Sequence, residues 1–152
     1  MRVLRVVADI YPFVSGGIGL HAFELSKLQN SKKIDLIVLT FSKKGVNYKF
    51  PFKTILIKEP LRILGNPISI SFFLKLWNLW DNFDIIHTHS HLFLTTNMCA
   101  IIKLFKNKPL IITNHGLYSQ SAPKWIQRIF METICKFSLK QADIILCYTK
   151  EE

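Results

Sequence analysis

Three short stretches of the chain bring together residues that could do chemistry. In the first, Asp9 follows an apolar run, and Ser15-Gly16-Gly17-Ile18-Gly19 then leads into a helical pattern. Adjacent glycines let backbone amides come close to a ligand. The free N–H groups and positive dipole end of a helix start suit a phosphate. The same glycines would equally relieve strain in a tight turn. The second stretch is Asp84-Ile85-Ile86-His87-Thr88-His89-Ser90-His91. Alternate imidazoles on an extended chain share a side, which is one way to hold zinc. The run straddles a strand end, however, and no thiol or carboxylate partner accompanies it, so no metal is expected. His87 reads as a hydrogen-bonded strand histidine, with His89 and Ser90 reaching the ligand edge of a sheet. The third stretch, Thr113-Asn114-His115-Gly116, puts another histidine at a strand end. With Gly16 and Gly17, these residues would line one cleft.

The elements that must position them alternate in kind. Val3–Ala8, Ile34–Phe41, Lys53–Lys58, Ile85–His89, Pro109–Asn114 and Asp143–Tyr148 are short apolar runs that read as buried strands. Between them, helical spacing is expected over Leu20–Leu28, Pro67–Trp80, Leu92–Phe105 and from Pro123 to about Gln141. Continuously apolar strands separated by helices imply βαβ units and a parallel sheet covered on both faces. The expected fold is a Rossmann-like open parallel sheet of about six strands, with ligands outside the C-terminal strand ends. Residues 1–152 form one unit, without linker, repeat or low-complexity tract.

Composition supports a folded core. Of 152 residues, 49% are hydrophobic and only 20% charged, which excludes intrinsic disorder. Twenty Lys and Arg against ten Asp and Glu give a net charge of +10 and point to an anionic partner. Nucleic acid is not expected, because the basic residues are scattered and no recognition motif accompanies them. Cys99, Cys135 and Cys147 form neither a zinc pair nor a disulfide framework, in keeping with a reducing, cytoplasmic compartment. Gly17-x-Gly19-x-x-Ala22 fits a dinucleotide pattern. It stands eight residues after its strand, though, and the second strand ends without an acidic residue, so a nicotinamide cofactor is not expected.

Taken together and in order, these signals resemble the N-terminal domain of a glycosyltransferase family 4 enzyme, one half of a GT-B fold. The resemblance rests on Pro12, Gly16, Gly17, His21 and Leu25, then on Asp84 to His89, then on Thr113, His115 and Gly116. Residues 141–152 resemble the strand that closes such a domain. The resemblance implies transfer of a sugar, with retention, from a nucleotide diphosphate sugar to a glycan or lipid-linked acceptor, without metal or other cofactor. It assigns Gly16 and Gly17 to the donor diphosphate and acceptor, and His115 to the transferred sugar as the catalytic group. His89, Ser90 and Gly116 are assigned to the substrate cleft, with His21 and Asp9 supporting. It also implies a C-terminal GT-B domain as partner, carrying the donor pocket, without which no turnover is expected. Gly19 stands where many relatives carry a polar residue that touches the acceptor.

A membrane is the remaining expectation. Phe73, Trp77 and Trp80 form a second apolar stripe on the helix expected over Pro67–Trp80, and Lys43, Lys44, Lys49, Lys53 and Lys58 precede it. These aromatics are the candidates for contact with an anionic membrane, on the inner face of which the protein would be peripheral. Burial of both stripes is the competing expectation. The alternative function is a non-catalytic basic module that binds anionic membrane or glycolipid.

Overall fold

The computed structural model describes residues 1–43, 48–58, 61–116 and 123–149. Lys44, in the basic run, and residues 150–152, in the closing pattern, lie outside them. The apolar runs become strands: β1 (Arg2–Val6), β2 (Asp35–Ser42), β3 (Lys53–Lys58), β4 (Leu61–Ile63), β5 (Asn66–Ile68), β6 (Ile85–His89), β7 (Leu110–Thr113) and β8 (Ile144–Leu146). Helices are α1 (Gly17–Ser31), α2 (Ile70–Leu79), α3 (Leu94–Lys103), α4 (Lys124–Phe130) and α5 (Lys136–Gln141). Six strands make one parallel sheet in the order β3-β2-β1-β6-β7-β8. This is the expected doubly wound, Rossmann-like arrangement, and its strand order reverses between β1 and β6.

The two-residue period of β1 divides the core. Leu4 and Val6 join Leu39, Phe72, Leu76 and Ile112 under α2 and α3. Val3 and Val7 join Ala22, Phe23, Leu36 and Val38 under α1. Arg5 points to the α1 side as well, and its register partner is His87 on β6. His87 and His89 therefore share the α1 face, as does Thr113, the register partner of His89. A polar column thus stands within an otherwise apolar sheet.

Two expected elements differ. The helix expected from Pro67 begins only at Ile70, because residues 61–68 form an antiparallel hairpin, β4–β5. Its two central residues, Leu64 (φ 48°) and Gly65 (φ 81°), are both left-handed, as the favoured two-residue hairpin turn requires. Ser69 then starts α2, its Oγ accepting the Phe72 N–H at 3.1 Å. The helix expected from Pro123 is interrupted by a π turn at Met131–Cys135 between α4 and α5.

The membrane-contact residues are also placed differently. Trp80 is fully buried, in a short 3₁₀ turn, and its indole N–H donates to the Lys106 carbonyl at 2.9 Å. Phe73 and Trp77 are half-buried against the core, and Trp77 packs on Phe105 under the Lys106 ammonium. The second stripe is covered because the 3₁₀ turn folds Trp80 under α3 and the segment after it. Trp80 is therefore not a surface contact. Among the described residues no helix is long and apolar enough to cross a membrane.

Candidate functional site

A cleft of about 450 Å³ opens at the C-terminal ends of the strands, at the reversal point between β1 and β6. The loop after β1 and the start of α1 form one wall, contributing Asp9, Gly16 and Gly17. The loop after β6 contributes Ser90, and the loop after β7 contributes His115. The opposite rim is the hairpin, which brings in Arg62. The guanidinium of Arg62 pairs with both oxygens of Asp9, at 2.6 and 3.1 Å, and also donates to the Gly65 carbonyl. Asp9 thus fastens the hairpin across the cleft.

The glycines of this wall have separate reasons to be glycine. Cβ atoms at Gly16 and Gly17 would meet nothing within 4 Å, and Gly16 is extended at φ −176°. Neither packing nor backbone strain demands glycine there, so these two positions keep side chains out of the cleft. No side chain caps α1, and its first turn carries no acidic residue. Its first N–H groups are therefore open to an anion. Gly19 differs. A Cβ there would lie 3.2 Å from the Asp9 carbonyl and 3.3 Å from Tyr11 N, so α1 and the loop would have to move apart by a few tenths of an ångström. Gly116 has φ 112° and supplies the left-handed turn after His115 rather than part of the cleft wall.

Below the wall lies a histidine cluster. Rings of His21, His89 and His115 stand 5.1–5.5 Å apart, and His89 Nδ1 lies 3.1 Å from His115 Nε2. His89 is fully buried. It lies beneath His115, and the cleft lining does not include it. His21 packs over both rings from α1, behind the glycine loop. One layer deeper, His87 stacks on His89 at 4.7 Å. Its Nε2 pairs with Thr113 Oγ1 at 2.7 Å, and its Nδ1 with Arg5 at 3.2 Å. His91 leaves the row and pairs with Asn114 Oδ1 at 2.6 Å.

Arg5 is the residue that sequence reasoning passed over, although a cation inside Val3–Ala8 is itself a signal. It is completely buried and donates to Ser26 and Gln29 of α1 at 2.6 and 2.7 Å. Burial lowers the Arg5 pKa to about 10, so it stays cationic at neutral pH. Burial, and then the Arg5 charge, pull the His87 pKa to about 3, while burial, followed by neighbouring His87 and Arg5, holds that of His89 well below its usual value. Burial and then the Arg5 charge lower His21. All three imidazoles are neutral at pH 7, each with one N–H to donate and one lone pair to accept.

Neutral imidazoles can also ligate a cation. His21, His89 and His115 offer nitrogens within 4.8 Å of one another, the one such group among the described residues. It contains no carboxylate or thiol, and His89 Nδ1 already faces His115 Nε2. The alternating histidines His87, His89 and His91 do not form such a group, since His91 turns to Asn114.

Ser90 is buried at φ 63°, a left-handed conformation uncommon for serine. Its N–H donates to the Thr113 carbonyl at 2.7 Å, and its carbonyl accepts Thr96 Oγ1 at 2.7 Å. These bonds hold the bend that turns the chain from β6 into the cleft wall. Strain held by surrounding bonds is common at binding sites.

Comparison with known proteins agrees with this architecture. The sequence model described as Glycosyltransferase Family 4 matches residues 15–152. No curated protein matches. Among solved structures, HepE of Anabaena in complex with UDP superposes with a TM-score of 0.66 at 14% identity, covering 95% of this chain and 37% of that one. An alpha-glucosyltransferase in complex with UDP and a 13-mer DNA gives 0.60 at 13% identity, over 97% and 38% of the two chains. A Vibrio parahaemolyticus protein of unknown function gives 0.53 at 9% identity, over 99% and 94%. The chain thus spans little more than a third of the length of the first two.

Proposed function

The chain belongs to glycosyltransferase family 4, and on that premise we propose that it is the acceptor-side half of a retaining transferase. The donor is a nucleotide diphosphate sugar, and the acceptor a glycan or lipid-linked molecule. One observation carries the reading: the cleft at the strand-order reversal is kept clear by Gly16 and Gly17 and has His115 on its wall. The solved HepE structures, which hold UDP, UDP with glucose, or UDP-glucose, support a uridine donor.

In this chemistry the bond between the anomeric carbon and the diphosphate oxygen breaks. The acceptor oxygen bonds the same face, and its proton passes to the departing phosphate oxygen. The protein must stabilise diphosphate charge and an oxocarbenium-like sugar, work suited to fixed dipoles rather than a carboxylate pair. The open first turn of α1 faces the diphosphate, and His115 meets the transferred sugar. His89 fixes the tautomer and orientation of His115. No metal or other cofactor enters this scheme.

The donor pocket belongs to a second GT-B domain. In support, β8 leaves Ile144, Ile145 and Leu146 about half exposed, apolar surface that further protein would cover. The chain alone, given UDP-glucose and an alkyl glucoside, is expected to release no UDP above the uncatalysed rate. Turnover by the chain alone would sink the claim of incompleteness. Fused to a UDP-binding second domain it should turn over, and Gly17→Val should abolish that activity by filling the cleft. A folded, UDP-binding fusion indifferent to Gly17→Val would refute the site.

A second reading, a stand-alone module that binds anionic membranes from the cytoplasmic side, draws on the Vibrio chain of nearly matching length. Salt-sensitive flotation with anionic vesicles is its test.

A further inference from the structure

Beside the polar cleft runs a second cavity of different chemistry. It measures about 190 Å³ and lies between the β4–β5 hairpin, the start of α3 and α4. Ile63 and Ile68 of the hairpin, Leu94 of α3, and Ile126 and Phe130 of α4 line it alone. Leu64, Asn66 and Leu92 line both it and the cleft, so the apolar groove adjoins the polar cleft across a shared wall. The partition between them is pinned, since Asn66 Oδ1 accepts the Leu94 N–H at 2.8 Å. That bond engages the carbonyl oxygen of Asn66. Apart from Asn66 and Gln127, every lining side chain of the groove is hydrocarbon.

The chemistry restricts the occupant. A peptide segment would bring backbone N–H and C=O groups, and a groove with so few polar partners would leave them unsatisfied. A hydrocarbon chain has no such groups. Adjacency to the cleft sets its attachment, because a chain that leaves the groove over Leu64 and Leu92 enters the cleft that has His115 on its wall. Exposed apolar side chains continue on and beside the elements that line the groove: Leu61 of the hairpin, Ile70 at the start of α2, and Trp125 and Ile129 of α4 are all more than half exposed. A surface of this kind suits a ligand drawn from a lipid phase.

We propose that the groove binds the hydrocarbon chain of an amphiphilic acceptor whose polar head occupies the cleft. The acceptor class is therefore lipid-linked. The inference rests on the reading of the cleft as the acceptor site and narrows it. It also moves the lipid-facing side from the α2 aromatics to the hairpin and α4.

The test uses the 152-residue chain and butyl, hexyl and octyl β-glucosides below their micelle concentrations, with Kd from calorimetry. Each added methylene is expected to tighten binding about fourfold, or about 0.8 kcal/mol, until the groove is full. Ile68→Ser and Ile126→Ser should flatten this dependence while circular dichroism stays unchanged. His115→Ala should weaken every member of the series by a similar factor, leaving the dependence on chain length intact. A Kd independent of chain length but sensitive to His115→Ala overturns the tail site and leaves the proposed function standing. A chain-length dependence insensitive to His115→Ala defeats both, because the tail is then not attached to a head in the cleft. A dependence that survives both serine variants places the hydrocarbon elsewhere and overturns the proposal. So does a sedimentation change in those variants showing that the groove joins two copies of the chain. If the variants fail to fold, the wild-type series still decides, since a flat response overturns the proposal unaided.

Discussion

At the scale of single residues, the proposed function divides the work between His115 and the buried histidines beneath it. In a fusion competent for transfer, His115→Ala should cut kcat/KM by about a hundredfold or more, the usual cost of losing a positioned polar group at a reacting centre. Its melting temperature should hardly move, because His115 sits at the surface of the cluster. His87 should behave in the opposite way. Its pKa is about 3 in the folded chain against 6.5 when exposed. Between those values the unfolded state binds a proton that the folded state excludes, so stability falls as pH falls. From pH 7 to 5 the loss is about 2 kcal/mol from His87 alone. Urea denaturation at the two pH values measures it, and His87→Gln should shrink the difference. Equal stability at both pH values would contradict the assigned burial. The glycines give a third contrast. Gly17→Ala should leave stability nearly unchanged, whereas Gly19→Ala should cost about 1–2 kcal/mol as its Cβ presses on the Asp9 carbonyl.

At the scale of elements, the informative departure is the β4–β5 hairpin. Its turn is Leu64-Gly65, where Asn-Gly would be the readable signal, and Leu64 at φ 48° carries a side chain poorly suited to that conformation. Leu64→Asn should therefore stabilise the chain by about 0.5–1 kcal/mol in chemical denaturation. Loss of stability would show that the contacts of Leu64 at the groove outweigh its backbone strain. Ser69→Ala should cost about 1 kcal/mol by removing the cap of α2. Most elements were legible because their apolar periodicity matches their burial: β1, β2, β6 and β7 are short and continuously apolar, and α3 follows helical spacing. The hairpin was not legible. Its strands are three residues long, and apolar Leu61, Ile63 and Ile68 merge with the helix that follows. The π turn was equally silent, since one extra residue per turn leaves hardly any mark on the pattern of Met131–Cys135.

At the scale of the whole molecule, the net charge of +10 suits the anionic diphosphate donor of the proposed function. The chain carries both sides of its cleft, the glycine wall and the hairpin rim, and spans little more than a third of two solved structures that it resembles. The sequence by itself determined the parallel sheet, because continuous apolar runs between helical segments leave few other ways to bury both faces. It also determined the family, through the ordered glycine and histidine motifs, and placed those motifs at strand ends. Only the tertiary structure decided which residues meet. The pleat sends Arg5, His87, His89 and Thr113 to one face, and parallel register puts them side by side. That is why His89 became a buried support and Arg5 entered the site from within an apolar strand. Burial of Trp80 and the adjacency of groove and cleft were likewise tertiary decisions. Both depend on contacts between elements distant in the chain, which no local pattern encodes.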